Sequence, residues 1–203
     1  PIILAGSDVD GDPLQANIKI LPLNGLLYQT SDGTSLGDLI TEISTTITHP
    51  ENRVIYVPSA NQHGANLGDF SFTVFDGLTT SVSAVVSIDV IPVNDPPTHK
   101  IPEPLSLPED TPLEFGLKHD LEIRVTDVDA HYGEVETTLQ SDFGKITLIN
   151  TDGLNFSHGD GVANAIMTFR GRVSDINAAL EDILFTPTLD LTGPISIEIT
   201  TND

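Results

Sequence analysis

Several things are missing from this 203-residue chain, and each absence narrows what it can be. It has no cysteine, so disulfides, thiolate metal sites and thiol redox chemistry are excluded. It has no tryptophan and only three tyrosines, which leaves little of the aromatic surface that sugar-stacking sites use. Positive charge is scarce. Eight Lys and Arg stand against 30 Asp and Glu, a formal charge of -22 spread along the whole length. Nucleic acid and anionic membrane surfaces are therefore unfavourable partners, whereas a divalent cation that gathers several carboxylates would be stabilising. No apolar run approaches the roughly 20 residues needed to cross a bilayer, so no membrane insertion is expected within this segment. The first residues also lack the charged-then-apolar layout of a signal peptide. The sequence therefore reads as soluble and cut from something longer.

What is present is strand signal. In Phe70-Ser71-Phe72-Thr73-Val74 apolar residues alternate with small hydroxyl residues, the period of a half-buried strand. The period returns with Val82, Ala84, Val86, Ile88 and Val90 on one face. Phe75-Asp76-Gly77-Leu78 between them predicts an antiparallel hairpin. Helical period is confined to 35–40 and 174–180, where single turns or short helices are expected. Val93-Asn94-Asp95-Pro96-Pro97 is the clear linker, because two prolines cannot continue a paired strand. The length suits two domains of about 100 residues each, 1–95 and 96–203.

The chain also repeats itself. Ser7-Asp8-Val9-Asp10-Gly11 returns 119 residues later as Thr126-Asp127-Val128-Asp129-Ala130, and Gly25-Leu26-Leu27-Tyr28 returns at the same offset as Gly144-Lys145-Ile146-Thr147. Ile55-Tyr56-Val57-Pro58 matches Leu184-Phe185-Thr186-Pro187 at a larger offset of 129, which predicts a loop insertion of about ten residues in the second copy. Phe70 to Asp76 aligns with Ile197 to Asp203. On this alignment the first module lacks its first strand. The second has its first strand within Leu105 to Leu113 and lacks its last, leaving an edge for neighbouring chain or a partner to complete.

These ordered segments resemble the cadherin-like or Ig-like tandem repeats of large extracellular adhesins and surface proteins. The carriers are Asp8-Val9-Asp10-Gly11-Asp12, Phe70 to Gly77, the Val93 to Pro97 linker and Leu107-Pro108-Glu109-Asp110-Thr111. The resemblance implies an all-β chain of two tandem Greek-key β-sandwich modules, extracellular or at the cell surface, with Ca2+ at the junctions. Carried over residue by residue, it nominates Asn94, Asp95, Asp127, Asp129 and Asp203 as ligands of one junction. It places Asp8, Asp10 and Asp76 at the preceding junction and Glu109 at the following one. The linker lacks the fuller Asp-x-Asn-Asp-Asn pattern of animal cadherins and neither module has a Leu-Asp-Arg-Glu segment, so one or two ions per junction are expected. Calcium takes six to eight oxygen ligands, and an Asp-x-Asp pair on an extended strand points both carboxylates to one face.

The bland alternatives are turn chemistry for every one of these aspartates and an Asx turn before the proline pair for Asn94 and Asp95. An EF-hand start at Asp8 fails because Pro13 stands where glycine is needed and Lys19 where a bidentate Glu belongs. His49, His63, His99, His119, His131 and His158 show no metal spacing and read as surface-loop residues. No nucleophile elbow or phosphate-binding glycine loop occurs, so no enzyme is predicted. Asn155-Phe156-Ser157 is a glycosylation sequon of chance type. The sequence thus points to a calcium-rigidified structural or adhesive segment whose partners are adjacent repeat modules. The alternatives are a carbohydrate-recognition module binding surface glycans, and a fibre-forming subunit with homophilic contacts by strand exchange.

Overall fold

The computed structural model describes residues 1–130 and 133–203; His131 lies outside the described residues. The chain divides into two compact units, Pro1–Val93 and Asn94–Asp203. The first carries β1 (Ile2–Ile3), β2 (Gln15–Ile20), β3 (Gly25–Gln29), β4 (Arg53–Pro58), β5 (Phe70–Phe75) and β6 (Ala84–Val86). The second carries β7 (Thr98–Lys100), β8 (Leu113–Phe115), β9 (Arg124–Thr126), β10 (Glu134–Ser141), β11 (Gly144–Leu148), β12 (Asn155–His158), β13 (Ile166–Arg172), helix α1 (Val173–Leu180), β14 (Ile183–Pro187) and β15 (Ile197–Asn202). Every strand pair is antiparallel, and each unit is an immunoglobulin-like β-sandwich.

In the first unit the sheets run β1-β4-β3 and β2-β5-β6. Alternation explains the core. Leu27 and Val54 of one sheet meet Ala16, Ile18, Phe70 and Phe72 of the other, closed by Leu4, Ile40 and Ile47. Each large apolar side chain so buried contributes about 1.5–3 kcal/mol before entropy is counted. In the second unit the sheets run β8-β14-β11 and β12-β13-β10-β15, with β7 and β9 paired beside them. Leu139, Met167, Phe169, Ile146, Phe185 and the helix residues Ile176 and Leu180 form its core.

The repeat seen in the sequence is a repeat in register. Gly25 stands opposite Pro58 and Leu27 opposite Tyr56, while Gly144 stands opposite Pro187 and Ile146 opposite Phe185. Both glycines have strongly positive φ, 145° and 149°. A Cβ on either would collide with the ring of Tyr56 or Phe185, so glycine recurs because an aromatic ring lies on its backbone. The other sheet shifts by two residues: Ile18 faces Phe72 across β2 and β5, whereas its counterpart Thr137 faces Thr201 across β10 and β15 and Leu139 faces Ile199.

Several sequence expectations are corrected. The extra length of the second copy does not sit in a loop; it forms β12, β13 and α1. In the first unit the matching edge of β2 is covered by loop residues instead of a strand, through Ile18 N–H to Thr45 O, Ile47 N–H to Ala16 O and Ala16 N–H to Asn52 Oδ1. The helix expected over 174–180 forms as α1, but 35–40 holds no helix: after a bend at Ser35 the chain runs alongside β3, where Gly37 N–H donates to Gln29 O, Ile40 N–H donates to Leu27 O and Ile40 is buried. Asp32 organises that bend, accepting the N–H groups of Thr34 and Ser35, a local geometry that competes with helix. The strand expected over 82–90 is regular only at Ala84–Val86. Val82 stays exposed, while Val86, Ile88 and Val90 are half-buried as the period required. The first strand of the second unit is not within Leu105 to Leu113, since 101–112 holds no strand; pairing occurs at β7 and at β8. Pro102, Pro104 and Pro108 remove the donors that a strand there would need. Nor are the histidines uniformly loop residues. His49 is buried and accepts the N–H of Glu51, and His99 lies on β7.

Candidate cation site on the second unit

The linker residues Asn94 and Asp95 belong to the second unit, and they are where its candidate ligands meet. The Asn94 side-chain amide donates to Asp203 Oδ2 at 2.5 Å, across 109 residues of sequence. The Asp95 backbone N–H donates to Asp129 Oδ2 at 2.6 Å. Asp127 Oδ1 accepts the N–H groups of Asp129 (2.8 Å) and Ala130 (2.9 Å). The five nominated residues thus fall into two hydrogen-bonded groups, Asn94 with Asp203 and Asp95 with Asp129 and Asp127, which the Asn94–Asp95 peptide bond joins at the end of the unit that carries the linker.

The local chemistry explains the convergence. β9 delivers Asp127 immediately after Thr126, and β15 delivers Asp203 immediately after Asn202. β7, three residues past Asp95, pairs with β9 through Thr98 opposite Thr126, which brings the linker alongside the Asp127 turn. Asn177 of α1 fixes β9 from behind. Its side chain accepts Val125 N–H at 2.8 Å and donates to Val125 O at 2.9 Å. β15 is held from the other side by Thr201, whose hydroxyl lies 3.0 Å from His99 Nε2 and 3.1 Å from Thr137 Oγ1. His99 is largely exposed, yet the desolvation it does suffer holds its imidazole below the ordinary value.

The Asp-x-Asp geometry differs from expectation. Asp127-Val128-Asp129 is not an extended strand showing both carboxylates on one face; the Asp127 carboxylate closes an Asx turn. That turn uses only one oxygen. Asp127 Oδ2 is fully buried and has no hydrogen-bond partner among the described residues. A buried acceptor left without a hydrogen bond costs about 1–3 kcal/mol. The described ion pairs take Lys and Arg to Glu51, Glu122, Asp182 and Glu136, none to Asp95, Asp127 or Asp203. The donor set is all oxygen, four carboxylates and the Asn94 amide, which is the chemistry that calcium prefers to softer metals. Among the described residues no three His, Asp or Glu side chains already stand in a ligating cluster.

The other nominated residues fall elsewhere. Asp8 Oδ1 accepts the N–H groups of Asp10 (2.8 Å) and Asp12 (3.1 Å), sharing with Asp127 the bond to the second residue on. Asp76 is occupied by its hairpin, accepting from Leu78 N–H, Thr79 N–H and the Thr79 hydroxyl at 2.7, 2.6 and 2.8 Å. Those bonds, Thr79 N–H first, hold the Asp76 carboxyl below the usual range. No described hydrogen bond joins Asp76 to Asp8 or Asp10. Glu109 is exposed on the 101–112 segment, where its backbone carbonyl accepts from the Thr111 hydroxyl. Sequence reading missed Asn177 and the His99–Thr201–Thr137 group. A signal existed for Thr201, which breaks the apolar alternation of the last strand.

The family model described as "SibA-like, immunoglobulin-like domain" matches residues 2–90, the first unit. Among curated proteins, "Integrin beta-like protein B" of Dictyostelium discoideum is 34% identical over 87 residues, covering 38% of this chain and 4% of that protein. The chain thus spans a small fraction of that relative. No solved structure matches significantly. What these comparisons support is an immunoglobulin-like domain, a coarser class than the cadherin-like repeat. No helix among the described residues is long and apolar enough to cross a membrane.

Proposed function

We propose that this chain is a structural or adhesive segment of a large extracellular or cell-surface multidomain protein, in which Ca2+ fixes the connector onto the second sandwich. The observation that carries the reading is the pair of hydrogen-bonded groups, Asn94 with Asp203 and Asp95 with Asp129 and Asp127, together with the buried Asp127 Oδ2, which has no hydrogen-bond partner among the described residues. A cation there would engage Asp127 Oδ2, together with the carboxylates of Asp129 and Asp203 and oxygens of the linker. Tying two linker residues to the unit removes backbone freedom from the connector, at about 1–2 kcal/mol of conformational entropy per residue. A stiff, extended array is what a spacer or adhesin needs. Support for the setting comes from the immunoglobulin-like match and from the integrin-like name of the similar protein. The Asp8, Asp10 and Asp76 turns and Glu109 are proposed as contributors to equivalent sites at neighbouring junctions, completed by adjacent repeat modules.

Small-angle scattering and calorimetry with excess calcium, then with chelator, test this. The reading expects a higher melting temperature and a narrower distribution of maximum dimensions with calcium. Superimposable melting and scattering curves reject it.

A further inference from the structure

The outer faces of the sheets differ in chemistry. In the first unit, β3 and β4 break the apolar–polar alternation of a half-buried strand: Leu26-Leu27-Tyr28 and Val54-Ile55-Tyr56-Val57 run without a charged or amide side chain. Leu27, Val54 and Tyr56 belong to the core or pack on it, and the residues between them point the other way. Leu26 stands opposite Val57, Tyr28 stands between Ile55 and Leu39, and Ile3 stands opposite Arg53. Tyr28, Ile55 and Val57 are only half-buried, while Ile3, Leu26 and Leu39 are 55%, 48% and 42% exposed. The fold does not require this. At the same register the second unit sets Lys145 opposite Thr186 and Thr147 opposite Leu184. The other sheet of each unit also turns polar pairs outward, such as Asn17 opposite Thr73 and Glu136 opposite Arg170. Strands that are apolar on both faces are the pattern of a sheet covered on both faces.

We propose that the outer face of the β1-β4-β3 sheet is a self-association surface, on which a second copy of this chain packs its identical face, sheet on sheet. Charge selects the occupant. At a formal charge of -22, two copies repel over most of their surface. This face holds no carboxylate among its described residues, and its one cation, Arg53, already bonds Glu51 of its own chain. A partner recognised by charge finds nothing to pair with here, whereas an identical face sets apolar against apolar and leaves no ion unpaired. Three strands and the 38–40 segment, about 4.8 Å apart and about five residues long, give roughly 300 Å2 per copy. That is well under the roughly 800 Å2 per partner of a stable complex, so the contact is weak singly and becomes effective where several copies are held side by side. No strand is exchanged, and none of the cation-site ligands takes part, so the inference stands apart from the reading above.

Sedimentation velocity of the full chain tests it, from about 10 μM to about 1 mM, with chelator present so that no cation bridges carboxylates. The inference expects the weight-average mass to rise with concentration towards twice that of the chain, and to rise further in about 0.5 M salt, which screens the acidic surfaces. Leu26→Lys combined with Val57→Thr, the residues that the second unit carries at the same register, is expected to weaken association at least tenfold. Methyl NMR of the parent gives a readout that needs no variant: the resonances of Leu26, Ile55 and Val57 shift with concentration and those of Leu184 do not. A monomer at every concentration overturns the inference. So does association that the double variant leaves unchanged, or concentration-dependent shifts confined to other residues; both outcomes assign the contact to another surface, strand exchange included.

Discussion

Replacing Asp127 by Asn separates the turn role of this residue from its charge. The variant keeps an Oδ1 that can accept the N–H groups of Asp129 and Ala130, so the Asx turn survives. It removes the negative charge at Oδ2, the buried oxygen that has no hydrogen-bond partner among the described residues. In chelator, the native chain carries an unmade charged acceptor costing about 1–3 kcal/mol, and Asp127→Asn should be at least as stable as the parent. In calcium the order should reverse. An ion at one hundred times its dissociation constant stabilises the parent by about 2.7 kcal/mol. A tenfold weaker site forfeits about 1.4 kcal/mol of that. The assay is hydrogen exchange of the β10 and β15 amides through a urea series, because both strands belong to the second unit. The reasoning fails if the variant is destabilised equally in calcium and in chelator, which would make Asp127 a turn residue alone.

Three further outcomes follow from particular contacts. Gly144→Ala sets a Cβ against the Phe185 ring at a φ of 149°, and should cost about 1–3 kcal/mol in urea unfolding of the second unit. Asn177→Ala strips two hydrogen bonds from buried Val125 and should cost about 2–4 kcal/mol, with calcium affinity falling as the Asp127 turn loosens. The Asp32 carboxyl is held far below its ordinary range, first by the Ser35 N–H and then by Thr34 N–H and the Ser35 hydroxyl. A depressed folded-state value contributes stability above the unfolded carboxylate range that fades as pH falls below it. The stability gap between parent and Asp32→Ala should therefore be full at neutral pH and shrink on acidification below about pH 4.

Much of this architecture was legible because a sandwich writes itself in period two and this one is written twice. The Gly25 and Gly144 registers were readable from spacing alone, as was the β5 to β6 hairpin, since Asp76-Gly77 stands between alternating runs. What escaped depends on tertiary context. Residues 35–40 have helical spacing, but the Asp32 carboxylate captures the preceding N–H groups and the chain bends instead. The extra strands β12 and β13 were hidden because an offset between matched segments reports only length, not what the inserted residues pair with. At the candidate site, the family resemblance nominated residues that the structure joins by hydrogen bonds, Asn94 with Asp203 and Asp95 with Asp129 and Asp127, yet it did not give their geometry. An Asp-x-Asp pair reads equally as an extended ligand pair or an Asx turn, and only the Asp129 and Ala130 N–H positions decide between them. Asn177 was invisible because its importance lies in reaching Val125 across 52 residues of sequence.

Direct calcium titration of the full chain by calorimetry puts the central claim to its sharpest test. The account predicts saturable binding that weakens at least tenfold in Asp127→Asn and in Asp203→Asn. Absence of binding heat, or affinity untouched by both substitutions, would contradict it.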